Sequence, residues 1–169
     1  KGSIVVGDSV TEGLSVYGWL SDDQVFSKIG SSVMTGDDLF SSAAGTYPST
    51  AFFAFGMNDM GNYRGDEKAF IKKYEARLKA FHKASPKTKI CVCGISAPTD
   101  AAMAKNKSIS NYKKFNSAIK KMCVKNKYVY IPTADILQKH PELYAGDGIH
   151  AQATYYPYWL DRMIEEAEL

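Results

Sequence analysis

The sequence predicts an α/β fold in three layers, α/β/α, built on a five-stranded parallel sheet with helices on both faces. Three observations carry this expectation. Short apolar runs alternate with longer segments whose apolar residues recur at spacings of three and four. The short runs are nearly continuous in apolar character, as strands buried on both faces are. Each is bounded by Gly, Pro, Ser, Asn or Asp, the residues that break strands. With 169 residues, 45% of them hydrophobic, the chain has the size of one domain and enough apolar bulk for a substantial core. No internal repeat, linker or second domain is visible, so residues 1–169 are expected to form a single domain.

The elements follow in order. Ile4-Val5-Val6 places a strand at 3–6, and Gly7-Asp8-Ser9 behind it suits a turn or a helix cap. Strands are expected at 24–28 and 51–55, the latter over the run Ala51-Phe52-Phe53-Ala54-Phe55. Residues 66–84 carry Phe70, Ile71, Tyr74, Leu78 and Phe81 on one helical face. A strand at 89–94 is followed by a helix at 110–125, whose stripe is Phe115, Ile119, Met122 and Cys123. A last strand at 128–131 precedes a helical segment at 155–169 with Tyr156, Trp159, Leu160, Met163 and Ile164 inward, and Pro157 sets its start. Strands alternating with helices imply right-handed crossovers and a sheet covered on both sides.

Composition excludes several function classes. A net charge of +3 is too mild to point to nucleic acid, and neither an RNA-binding aromatic motif nor zinc-finger spacing accompanies it. No apolar stretch approaches the roughly 18–20 residues of a membrane span, and no signal-peptide pattern opens the sequence. Lys1 stands immediately before the first strand, so the expectation is a domain excised from a longer chain, with a lean toward the cell envelope or the extracellular space. Cys91 and Cys93 lie two apart in a strand, where Cα atoms are about 6.5–7 Å apart, at or beyond the disulfide limit, and with Cys123 they read as reduced core thiols. His82, His140 and His150 show no ligand spacing with them, so neither a metal nor another cofactor is expected.

In open parallel sheets ligands bind beyond the carboxyl ends of the strands. Ser9 follows the first strand, Gly30 the second, and Gly56-Met57-Asn58-Asp59 the third. A serine hydroxyl is a weak nucleophile until a base takes its proton. Gly146-Asp147-Gly148-Ile149-His150 lies just before the last helix and brings a histidine with a carboxylate three residues before it. That spacing suits a loop in which the carboxylate holds one imidazole nitrogen and the other faces the serine.

Four blocks in this order, Gly7-Asp8-Ser9-Val10, Gly30, Gly56-Met57-Asn58-Asp59 and Asp147-Gly148-Ile149-His150, resemble the SGNH hydrolases, also called GDSL esterases and lipases. The resemblance spans most of the chain and implies their flavodoxin-like sandwich. It makes Ser9 the nucleophile, His150 the general base and Asp147 the residue that orients it. It makes the Ser9 N–H, the Gly30 N–H and the Asn58 amide the oxyanion hole. Fixed dipoles aimed at developing charge need no reorganisation during reaction. Two positions depart from the family pattern: Lys28 stands where the second block usually has asparagine, and Val10 where the first has leucine. Neither touches a donor or the nucleophile, although Lys28 bears on the local loop and the substrate.

The resulting expectation is a metal-independent serine esterase acting on short acyl esters, acetyl esters of carbohydrate foremost. An acyltransferase of the same family, passing acetyl to a cell-envelope sugar, is the alternative. A non-catalytic carbohydrate-binding domain is the second alternative. Tyr17, Trp19 and Tyr63 fall near the mouth loops as candidate sugar contacts, and Arg64 as a candidate contact for an anion, each with a plain packing or solvated reading beside it. The eight lysines within 105–127 include Lys113, Lys114, Lys120, Lys121 and Lys125, mostly opposite the apolar stripe, and read as a solvated face. His82 and His140 read as structural.

Overall fold

The computed structural model describes residues 2–169. Five parallel strands, β1 (Ser3–Gly7), β2 (Val25–Ser27), β3 (Thr50–Ala54), β4 (Lys89–Cys93) and β5 (Val129–Ile131), form one sheet in the order β2-β1-β3-β4-β5. Val6 lies level with Phe26 on one side and Phe53 on the other, and Cys93 with Ile131. The edge strands β2 and β5 are three residues long, which leaves little edge to pair with another chain.

Side-chain alternation along the strands divides the core in two. Ile4, Val6, Phe53, Val92 and Phe55 pack on one side with α2 (Asp37–Ala44), α4 (Glu67–Ala84) and α6 (Tyr112–Asn126). Val5, Phe52, Cys91 and Cys93 pack on the other with α1 (Ser9–Val16), α7 (Ala134–Lys139) and α8 (Tyr156–Ala167). The chain steps from β1 outward to β2, then returns across β1 to β3, so the direction of winding reverses at β1. Right-handed crossovers put α1 on one face and the later crossover helices α2, α4 and α6 on the other for that reason, while α7 and α8, which follow β5, return to the face of α1. The crevice beyond the carboxyl end of β1 is the ligand position of such folds.

The expected strands are present, each within a residue or so of its predicted bounds. Gln24 belongs to a 3₁₀ turn instead, because Ser21 and Gln24 cap one another reciprocally. The expected helix at 66–84 begins one residue later because Asp66 is its cap, accepting the Lys68 and Ala69 N–H groups, each at 3.1 Å. The shorter helices α2, α3 (Met57–Asn62), α5 (Asp100–Lys105) and α7 are six to eight residues long. They are too short for the three-and-four spacing to repeat. Cys91, Cys93 and Cys123 are free and buried, and burial pushes the Cys91 and Cys123 thiols up to about 11 and about 12. The five α6 lysines are exposed, and two of them pair with α4, Lys114 with Glu67 at 3.2 Å and Lys125 with Glu75 at 3.3 Å. Among the described residues no helix is long and apolar enough to cross a membrane.

Candidate active site

β1 ends in Gly7 because nothing larger fits. A Cβ there would lie 2.1 Å from Thr11 Oγ1 and 2.5 Å from the Ala54 carbonyl oxygen. Asp8 is the cap of α1 and accepts the Val10 N–H at 3.0 Å. Ser9 is therefore the first residue of α1, where the backbone N–H precedes the helix's own hydrogen-bond ladder and the positive end of the helix dipole lies. The Tyr156 hydroxyl of α8 donates to the Val10 carbonyl at 2.7 Å and fixes this turn from the second layer.

His150 and Asp147 sit in a loop closed at its base by an antiparallel bridge between Tyr144 and Ala151. Gly148 turns the loop at φ +70, and a Cβ there would meet Thr99 Oγ1 at 2.1 Å. Asp147 Oδ1 accepts the Ile149 and His150 N–H groups at 2.9 and 2.8 Å, an Asx turn that fixes the carboxylate. Its other oxygen lies 2.5 Å from His150 Nδ1. Nε2 of the same ring is 2.8 Å from Ser9 Oγ. A carboxylate at Nδ1 keeps the proton on that nitrogen and leaves Nε2 to accept from the serine. Partial burial raises the Asp147 pKa, but hydrogen bonds from the His150 ring and from the two N–H groups outweigh it, and the carboxyl is held below its usual range. The side chains of His150 and Asp147 are 44% and 46% exposed, so water reaches the imidazole directly.

The two remaining expected site residues flank the serine from β2 and β3. Residues 28–31 form a turn in which Ser31 N–H donates to the Lys28 carbonyl at 3.1 Å, with Gly30 in the left-handed region at φ +77. Glycine is the residue that takes this position without strain. Lys28 is exposed and only its backbone closes the turn, so the departure from the family pattern leaves the loop intact. The Gly30 N–H makes no hydrogen bond among the described residues. Asn58, in the first turn of α3, donates from Nδ2 to the Ser31 carbonyl at 2.9 Å, and one amide hydrogen remains for a ligand. Ser31 Oγ donates to the Gly7 carbonyl at 3.1 Å and joins this loop to β1.

Two acids lie beneath this edge. Burial pushes Asp8 up to about 6, against the pull of the Val10 N–H and of His150. Burial pushes Asp59 up to about 7; the Val33 N–H pulls against it and the charge of Asp8 adds to it.

Other expected contacts fall differently. Tyr63 lies against the core with its ring edge on Phe70 at 6.0 Å, since it caps the end of α3 rather than entering the mouth. Tyr17 is half exposed and tilts on Tyr156 at 5.6 Å. Trp19 is 45% exposed and is held by a 3.1 Å hydrogen bond from Nε1 to the Ala153 carbonyl, three residues past His150. Arg64 is exposed at φ +51 and forms no ion pair among the described residues. His82 is exposed on α4, and His140 tilts on Tyr158 with ring centroids 4.4 Å apart. The aromatic partner that the pattern did not single out is Tyr158, whose only signal is its place directly after Pro157.

A parallel sheet in this strand order, with a hydroxyl, an imidazole and a carboxylate in one line at its carboxyl edge, defines the class of the SGNH hydrolases. The GDSL-like Lipase/Acylhydrolase family matches the sequence over residues 5–156, and the chain belongs to that family, whose chemistry is ester hydrolysis. No curated protein matches the sequence. Among solved structures, a GDSL-like lipase from Bacteroides thetaiotaomicron superposes with a TM-score of 0.75 at 16% identity, covering 99% of this chain and 89% of its own. The acetyl xylan esterase AlAXEase gives 0.76 at 18% identity over 96% and 98% of the two chains. A carbohydrate esterase of family 3 from Talaromyces cellulolyticus gives 0.74 at 15% identity over 98% and 95%. At these identities the likeness is one of fold.

Proposed function

We propose that this protein is a serine esterase that removes short acyl groups, acetyl foremost, from carbohydrate. The observation that carries the reading is the line from Ser9 Oγ through His150, 2.8 Å on one side and 2.5 Å on the other, to Asp147. In this reading His150 Nε2 takes the hydroxyl proton as Ser9 attacks the ester carbonyl, and Asp147 stabilises the imidazolium that forms. The Ser9 and Gly30 N–H groups and the free amide hydrogen of Asn58 receive the oxyanion. His150 then protonates the leaving alcohol, and water, activated by the same ring, releases the acid.

One feature supports the substrate class. A groove of about 370 Å³ is lined by Trp19, Leu143, Thr154, Pro157, Tyr158 and Asp161. Trp19 and Tyr158 are each 45% exposed there, and the Asp161 carboxylate has no partner among the described residues. Aromatic faces and a free acceptor are what a sugar ring with its hydroxyls needs. The exposure of His150 favours water over a second sugar as acceptor, because a transferase must hold its acceptor and exclude water.

The test is covalent labelling by a fluorophosphonate together with acetate release from acetylated xylo-oligosaccharides. Label on Ser9 and free acetate are expected, and both vanish in Ser9→Ala. Label elsewhere removes the nucleophile assignment. Acetyl recovered mainly on added sugar, read by mass spectrometry, replaces the hydrolase with the acyltransferase.

A further inference from the structure

The loop that carries Gly30 is held at Ser31, Val33 and Met34 by side chains from two helices. Asp59 of α3 accepts the Val33 N–H at 3.0 Å. Arg77 of α4 donates from Nε to the Val33 carbonyl and from Nη2 to the Met34 carbonyl at 3.0 Å, and its Nη1 pairs with Asp37. With Asn58 on the Ser31 carbonyl and Ser31 Oγ on Gly7, the backbone from 31 to 34 has little freedom.

The cost of this arrangement is visible. Asp59 is fully buried, and its second oxygen has no hydrogen-bond partner. The backbone N–H groups of Val33 and Met34 favour its charge, and the titratable groups that act on it are Asp8 behind Ser9, Tyr63 at the end of α3 and Tyr74 on α4, none of which is a cation. Arg77 is a charged residue on the apolar stripe of α4, between Tyr74 and Leu78, and is only 8% exposed. A buried carboxyl with an orphaned oxygen costs a fold stability, and its presence calls for a reason. What it holds here is the segment that begins one residue past an unpaired N–H beside the nucleophile.

We propose that Asp59 and Arg77 are positioning residues of the oxyanion hole: Asp59 through the Val33 N–H, and Arg77 through the Val33 and Met34 carbonyls, fix the loop that aims the Gly30 N–H at the reacting carbonyl. The inference rests on the serine-esterase reading above and adds the shell behind it. Neither residue touches substrate. Loss of either hold lets the Gly30 N–H drift from the oxyanion, and a displacement of about 1 Å at such a donor costs up to about a hundredfold in rate.

The experiment compares wild type, Asp59→Ala, Asp59→Asn and Arg77→Met in hydrolysis of 4-nitrophenyl acetate, with thermal unfolding of each. Asp59→Ala is expected to lower kcat by at least about tenfold with KM changed less than about threefold, because ground-state binding does not use the oxyanion hole. Asp59→Asn keeps an acceptor for the Val33 N–H and recovers most of the loss. Arg77→Met lowers kcat in the same way and carries the test if Asp59→Ala does not fold. A folded Asp59→Ala or Arg77→Met with kcat close to wild type overturns the proposal. So does an Asp59→Asn as slow as Asp59→Ala, or a loss that falls on KM. Ser9→Ala is the control: if it retains turnover, the esterase reading has failed, whereas a dead Ser9→Ala beside an active Asp59→Ala removes the clamp alone.

Discussion

Asn58 and Ser31 are joined by a 2.9 Å hydrogen bond from the amide nitrogen of the first to the carbonyl of the second. One side chain thus orients the Gly30 loop, and its remaining N–H is the one the proposed mechanism assigns to the oxyanion. Truncation removes both effects at once. Asn58→Ala is expected to lower kcat by about 10²–10³ with little change in KM, measured with 4-nitrophenyl acetate. An effect confined to KM contradicts an oxyanion role.

Asp147→Asn should be at least as damaging as Asp147→Ala. The carboxylate serves two backbone N–H groups with one oxygen and His150 Nδ1 with the other. An asparagine that keeps its oxygen on the backbone turns its NH₂ toward Nδ1 and forces the proton onto Nε2, the wrong tautomer for a base. Alanine leaves Nδ1 to water, which reaches the half-exposed ring. A fall of about 10²–10⁴ in kcat is expected for the asparagine variant. An asparagine variant clearly faster than the alanine one removes the tautomer argument.

Asp8 and Asp59 make stability fall with rising pH. Their pKa values are raised from 3.8 to about 6 and about 7 by burial. Above about pH 4 the unfolded chain has released protons that the folded state still holds, so the contribution declines up to about pH 7 and is flat beyond. Asp59→Asn removes one such group, and its Tm relative to wild type should be more favourable at about pH 8 than at about pH 4. The opposite order refutes a raised Asp59.

Trp19→Ala and Tyr158→Ala should separate large substrates from small. Both side chains line the groove beyond the His150 loop. The ratio of kcat/KM for an acetylated xylo-oligosaccharide to that for 4-nitrophenyl acetate is expected to fall about tenfold in the double variant, the scale of one or two stacking contacts. An unchanged ratio takes the groove out of substrate recognition.

The sheet and its two faces were legible because Ile4-Val5-Val6 and Phe52-Phe53 sit in continuous apolar runs and the stripes of α4 and α6 repeat over several turns. The candidate site residues were legible as short blocks, each behind an expected strand or before the last helix. Asp59 and Arg77 were not read as a pair. Their contact joins α3 and α4 through the backbone of a loop, and such a contact has no sequence period. One signal was present, since Arg77 stands on the buried stripe of α4 where the pattern calls for an apolar residue. Tyr63 shows the converse. Proximity along the chain to Asn58 placed it at the mouth, and the turn that ends α3 carries its ring back onto Phe70.

Ser9 and His150 are 141 positions apart, the one at the tip of the first strand and the other in the last loop. Their hydrogen bond is among the most non-local contacts in the molecule, so it forms late by the usual relation between sequence separation and closure entropy. On the proposed mechanism, nascent or truncated chains that lack the segment around His150 are expected to be catalytically silent however much of the sheet they have built. Hydrolysis then reports completed folding rather than collapse: regain of activity after dilution from denaturant should follow the docking of α8, and a single backbone nick in the Ala145–Ala151 loop would silence a molecule whose sheet is intact.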